Sequence, residues 1–118
     1  MQRLIDANVI LRYLLNDNTE MADLAEQVID EGAFTVPEVL AEVVYVMAGV
    51  YKIERADICD ALESLLGEVG IENKAAVKEG IHVFRDTSLD FVDCLLIGRH
   101  RALGEEVFSF DKKLNKKL

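Results

Sequence analysis

Met1-Gln2-Arg3-Leu4-Ile5-Asp6-Ala7-Asn8-Val9-Ile10-Leu11-Arg12-Tyr13-Leu14-Leu15 is the stretch that sets the fold class of this chain. The apolar pair Leu4-Ile5 runs directly into Asp6, and after Ala7 and Asn8 the apolar residues return at helical spacing. That pattern is a buried strand handing over to a helix across a carboxylate. In open parallel sheets, ligands bind outside the carboxyl ends of the strands, which puts Asp6 at the mouth of a site. Function then depends on which other acids the chain brings to the same edge.

Outward from this stretch the chain alternates short strands with helices. Asn16-Asp17-Asn18-Thr19 is a turn, in which Asn18 or Thr19 can cap a helix reaching about Glu31 and ended by Gly32. Residues 33–36 form a short strand, and Pro37 takes the favoured first position of a third helix. One broad face of that helix carries Val39, Leu40, Val43, Val44 and Met47, with Glu38 and Glu42 one turn apart beside it. A fourth helix follows Ile53-Glu54-Arg55 with Ile58, Leu62, Leu65 and Leu66 inward, closed by Gly67 or Gly70, and a weak strand lies around residues 69–72. Residues 74–85 read as a fifth helix, in which Gly80 permits close packing, and Asp86-Thr87-Ser88 offers caps for a sixth over about 89–103. Val107-Phe108-Ser109-Phe110 then reads as a strand ending on Asp111, before a short helix or tail. Strands separated by helical crossovers predict an α/β fold on a parallel sheet covered on both faces.

The totals agree with a single domain over residues 1–118, half apolar (51%) and 30% charged. No apolar run is long enough to span a bilayer, and Asp6 falls too early for a signal-peptide core, so a soluble, cytoplasmic protein is expected. Cys59 and Cys94 form no metal or redox pair and lie on apolar helical faces, as buried free thiols do. A net charge of −9 at first argues against nucleic acid, whose phosphates need Lys and Arg. The charge is unevenly spread. From Arg99 onward the chain carries +3 against −12 before it, so a basic end sits on an acidic body. Such an end can face phosphates, or it can simply be a solvated tail.

Asp6, Glu42, Asp90, Asp93 and Asp111 all fall at the predicted carboxyl edge. Like charges drawn close together stay ionised only if a cation neutralises them, and hard oxygen donors select Mg²⁺ or Mn²⁺. Such ions activate water against a phosphodiester, so the implied chemistry is metal-dependent phosphodiester hydrolysis. Each acid also has an ordinary explanation. Asp6 and Asp90 can be helix caps, Glu42 and Glu38 surface residues of an amphipathic helix, and Asp111 a turn residue. Asp93, between Val92 and Cys94 in an apolar turn, is the hardest to explain away.

Four segments carry a resemblance as well. Ile5-Asp6-Ala7-Asn8-Val9-Ile10-Leu11-Arg12, Val36-Pro37-Glu38-Val39-Leu40-Ala41-Glu42-Val43, Leu89-Asp90-Phe91-Val92-Asp93-Cys94-Leu95-Leu96 and Phe108-Ser109-Phe110-Asp111 resemble, in order and spacing, the four acidic motifs of PIN domains. The likeness is to the VapC-type toxins of toxin–antitoxin pairs. It implies a PIN-like three-layer α/β/α sandwich on a mainly parallel twisted sheet, and a Mg²⁺-dependent endoribonuclease. Dimerisation and inhibition by a small antitoxin whose tail enters the site are also implied. Carried over by position, Asp6, Glu42 and Asp93 match the principal metal-binding acids, Asp111 the more variable fourth, and Asn8 and Ser109 the polar positions that orient carboxylates or water. Ala7 stands where the family commonly has Thr, and Cys94 where it has a small Ala. The sequence runs only a few residues past Asp111, so the family's last edge strand is expected to be missing or very short.

Arg12, one turn into the first helix, is a candidate phosphate contact, and His100, between Arg99 and Arg101, a surface residue with some chance of meeting RNA. His82 stands alone. Two other functional classes compete with the nuclease. One is a catalytically idle PIN-like module that binds RNA or protein. The other is a receiver or phosphatase, but a phosphatase wants Asp where Asn8 stands, and a receiver wants adjacent acids and a strand-end Lys that are not found.

Overall fold

Arg3–Leu4 (β1) is the strand expected at the start of the chain, but as an edge strand it is exposed rather than buried, only Ile5 being in the core, and its pairing runs one residue further, since the Ile5 amide donates to the Phe34 carbonyl at 2.9 Å. The computed structural model describes residues 2–118. Strand β2 (Ala33–Thr35) lies between β1 and β3 (Gly70–Ile71), and both pairings are parallel, with Leu4 opposite Phe34 and Thr35 opposite Ile71. Parallel neighbours need crossovers, and helices supply them. Helices α1 (Ala7–Leu15) and α2 (Thr19–Glu31) join β1 to β2, and α3 (Pro37–Gly49) and α4 (Arg55–Leu66) join β2 to β3. Then α5 (Lys74–Asp86), α6 (Phe91–Leu103) and the short α7 (Lys112–Asn115) complete the chain. The result is the α/β sandwich on an open parallel sheet that the sequence implied, though most of its mass is helical.

Helix ends follow local chemistry. Asn18 caps α2 by accepting from the Met21 amide at 3.1 Å, Pro37 opens α3, and Gly104 adopts the left-handed conformation that ends α6. The inward faces of all seven helices meet in one core around Ile10, Ile29, Leu40, Ile58, Ile81, Ile97 and Leu114. Burial of such faces, rather than helix propensity, holds short helices in place. Thr35, buried on the central strand, satisfies its hydroxyl by donating to the Ile5 carbonyl at 3.1 Å.

One expected element is absent. Residues 107–110 are not a strand, and Asp111 therefore ends no strand but caps α7. Local bonds hold the backbone on and beside Val-Phe-Ser-Phe. The Glu105 carbonyl is bonded by His100 Nδ1 at 2.8 Å, the Ser109 carbonyl accepts from Asn115 Nδ2 at 2.9 Å, and the Asp111 amide donates to Ser109 Oγ at 2.9 Å. The segment pairs with no edge of the three-stranded sheet.

Candidate functional site

Asp6 follows β1 and stands as the N-cap of α1, its Oδ1 accepting from the Val9 amide at 3.1 Å. The capping role is therefore real, and it uses one oxygen. Oδ2 has no protein partner among the described residues. Capping also fixes where the carboxylate points, because the Oδ1 bond ties it to the first turn of α1. Glu42 lies in the second turn of α3, the helix that leaves the carboxyl end of β2, and its exposed carboxylate makes no hydrogen bond or ion pair among the described residues.

Asp93 sits in the first turn of α6, half-buried, and likewise has no hydrogen-bonding or ionic partner among the described residues. Its carboxyl is pushed above the usual Asp range, first by burial and then by the negative charges of Asp90 and Asp111. The structure thus brings Asp90, Asp93 and Asp111 into electrostatic contact across the turn before α6 and the turn before α7. Asp90 is the N-cap residue of α6 by position but makes no side-chain capping bond. Asp111 caps α7 through Oδ1 to the Leu114 amide at 3.0 Å, and Ser109 Oγ accepts from the Asp111 amide, so Ser109 fixes the backbone that carries this acid.

The acids fit a hard cation by donor chemistry: all are carboxylates, and none of Asp6, Glu42, Asp93 and Asp111 forms an ion pair among the described residues. They are not drawn tight. No three acidic, histidine or cysteine side chains among the described residues stand close enough together to hold a metal ion as they lie. Glu38, one turn before Glu42, is exposed and equally unpaired among the described residues.

Asn8 is exposed at the start of α1 beside Asp6. Arg12 is already engaged: its guanidinium bonds Asp17 at 2.9 Å and the Tyr51 hydroxyl at 3.1 Å, while Nε is buried without a partner. His100 is half-buried, held by the Glu105 carbonyl, and His82 is exposed 3.9 Å from Glu79. Cys59 and Cys94 are buried free thiols, as expected.

Sequence inspection missed the group that positions the α6 turn. Arg55, at the start of α4, donates through Nε to the Phe84 carbonyl at 2.5 Å and through its terminal nitrogen to the Leu89 carbonyl, and its guanidinium lies 3.6 Å over the Phe84 ring. Thr87 adds a hydroxyl that donates to the Val83 carbonyl at 2.8 Å and accepts from the Leu89 amide at 3.3 Å. Together they tie the α5–α6 turn down immediately before Asp90 and Asp93. Nothing local in the sequence marks Arg55, since both carbonyls it serves lie about thirty residues away.

The PIN domain family model matches residues 3–117. A VapC ribonuclease of Aquifex aeolicus (strain VF5) is 30% identical over 123 residues, covering 97% of this chain and 90% of that protein. No solved structure matches it significantly.

Proposed function

The chain belongs to the PIN-domain family, and from its likeness to a VapC ribonuclease we propose that it is a Mg²⁺-dependent endoribonuclease toxin. The observation that carries this is Asp93: a half-buried carboxylate with no cationic partner among the described residues, raised first by burial and then by the charges of Asp90 and Asp111. A folded protein keeps such a group only where something neutralises it in use.

Asp6, Glu42, Asp93 and Asp111 would hold Mg²⁺ or Mn²⁺, Asp6 and Asp111 through the oxygens their caps leave free. When bound, the ion neutralises charge developing on the scissile phosphate and activates the attacking water. The chain's own groups do the positioning. Ser109 fixes the Asp111 backbone, Asn8 is placed to orient a carboxylate or water beside Asp6, and Arg55 with Thr87 anchors the turn that delivers Asp93. Arg12 meets an RNA phosphate only by exchanging Asp17 for it, which makes it a charge reserve at the edge of the site. The products would carry a 5′-phosphate and a 3′-hydroxyl.

The protein works in the cytoplasm in this proposal, under the control of a small antitoxin. Among the described residues no helix is long and apolar enough to cross a membrane. Homodimerisation is supported by a groove of about 610 Å³ between α3 and α6, lined by Ala41, Tyr45, Ala48, Phe91 and Val92, with Tyr45 and Val92 exposed. The spread of the acids favours one other possibility, an idle PIN-like module that binds RNA without cutting it. Cleavage of RNA in Mg²⁺ by the wild type and by Asp6→Asn and Asp93→Asn separates them. Each variant is expected to lose at least the roughly 10- to 100-fold that changes around metal ligands cost. Cleavage undiminished in both variants would remove the metal assignment, and a wild type that binds but never cleaves RNA would establish the idle module.

A further inference from the structure

Phe108 and Phe110 are the most exposed large apolar side chains on the described surface, at 85% and 91%, and they flank Ser109 immediately before Asp111. Their rings sit edge to face with centroids 5.2 Å apart, so the two present one aromatic surface rather than two stray side chains. The backbone beneath them is fixed. Val107 packs against the core, the Ser109 carbonyl and hydroxyl are both bonded, and Arg99 grips Glu105 through two contacts of 2.5 and 2.8 Å.

Charge along the segment is graded, with Glu106 and Asp111 beside the pair and four lysines beyond Asp111. Glu105 is neutralised by Arg99, which holds its carboxyl below the usual range. Lys112, Lys113, Lys116 and Lys117 follow at once, and none of them enters an ion pair among the described residues. Two solvent-facing rings beside four uncommitted ammonium groups is an arrangement that neither folding nor solubility calls for. It suits a ligand with flat apolar rings strung on a chain of negative charges. Unstacked nucleobases on a phosphate backbone have that chemistry, and a base buried in a duplex does not.

We propose that Phe108 and Phe110 form a stacking platform for bases of single-stranded RNA, with the lysines of residues 112–117 holding the flanking phosphates. The assignment rests on the ribonuclease function and adds a base-contacting surface to it: the RNA strand lies over Ser109 on its way to Asp111. An exposed aromatic pair can also dock a protein, and the test is built to expose that.

The chain contains no tryptophan, so Phe110→Trp places a single fluorophore on the platform. In an Asp93→Asn background, which prevents turnover, an unstructured oligoribonucleotide is expected to quench that fluorescence, while a blunt duplex of the same length does not. Anisotropy of a labelled single strand should show Phe108→Ala and Phe110→Ala each raising Kd by about tenfold, the order expected for one lost base stack. Phe110→Tyr should keep the wild-type Kd, and Phe110→Leu should behave like Ala, because apolar area without a π face does not stack. Both side chains are solvent-facing, so unchanged thermal melting should confirm that the variants fold. Equal effects on single strand and duplex, or Leu restoring binding, would overturn the stacking assignment while leaving the ribonuclease intact. The same holds if the substitutions abolish concentration-dependent self-association instead of RNA binding. If the wild type neither binds nor cleaves RNA, the ribonuclease proposal fails and the platform falls with it.

Discussion

Asp93 is the residue on which chemistry and stability meet. Burial, then Asp90 and Asp111, raise its carboxyl above the ordinary Asp value. The folded state therefore binds this proton more tightly than the unfolded chain, and ionising the group costs stability. That cost is absent below the ordinary value of 3.8, grows as pH climbs from there through the raised one, and stays at its full size above it. Metal-free Asp93→Asn should accordingly melt at a higher temperature than the wild type near neutral pH, with the gap closing in acid. Added Mg²⁺ should stabilise the wild type more than the variant. A melting curve that shows the variant less stable at neutral pH would mean that Asp93 has a protein cation after all. At this scale the acids were legible because a carboxylate inside an apolar run is conspicuous. Asp6 was legible in part: the sequence offered cap and ligand as alternatives, and the structure shows that the cap occupies only one of its oxygens. Arg55 was invisible, since its meaning lies in two distant carbonyls and a ring that folding brings under it.

Among the elements, α5 and α6 are the most closely packed pair, and the glycines explain why. Gly80 was expected to allow close approach, but Gly98 is the tighter of the two. A Cβ on Gly98 would lie 2.2 Å from the Ala76 carbonyl and 2.7 Å from the Gly80 amide nitrogen, both backbone, whereas one on Gly80 would lie no closer than 3.1 Å to anything. Gly98→Ala must push α6 off α5, and about 1–3 kcal/mol or more of destabilisation is expected from such overpacking. Gly80→Ala should cost less. Urea unfolding measures both, and a Gly98→Ala protein with wild-type stability would contradict the close contact. Because Asp93 sits on α6, the same displacement should weaken RNA cleavage beyond the loss of folded protein. The helices were readable from periodicity and caps to within a residue or two. The strand over residues 107–110 was misjudged because propensity is local and pairing is not. The sequence could not show that His100, Ser109 and Asn115 would bond the Glu105 carbonyl, the Asp111 amide and the Ser109 carbonyl on and beside this segment.

Over the whole molecule, two of the acids ride on helices that leave strands, Asp6 capping α1 after β1 and Glu42 on α3 after β2, while Asp93 and Asp111 stand at the starts of α6 and α7, which follow no strand. An acidic body and a basic end are then consistent with one polyanionic substrate: the acids accept a cation, and the lysines accept phosphates. What the four segments of sequence could not convey is distance. Asp93, Asp90 and Asp111 sense one another, while the full set is not closed around a common centre. Closing it requires a cation that offsets the repulsion, which is the central claim made for this protein. The direct measurement is the anomalous-scattering map of crystals grown with Mn²⁺. The four-acid assignment predicts a peak bounded by carboxylate oxygens of Asp6 and Asp93, joined by Glu42 or Asp111, at roughly 2.0–2.2 Å as for Mg²⁺-type octahedral sites. No peak there, or Mn²⁺ bound only in the acidic cleft lined by Asp23, Glu26 and Glu68, would contradict it.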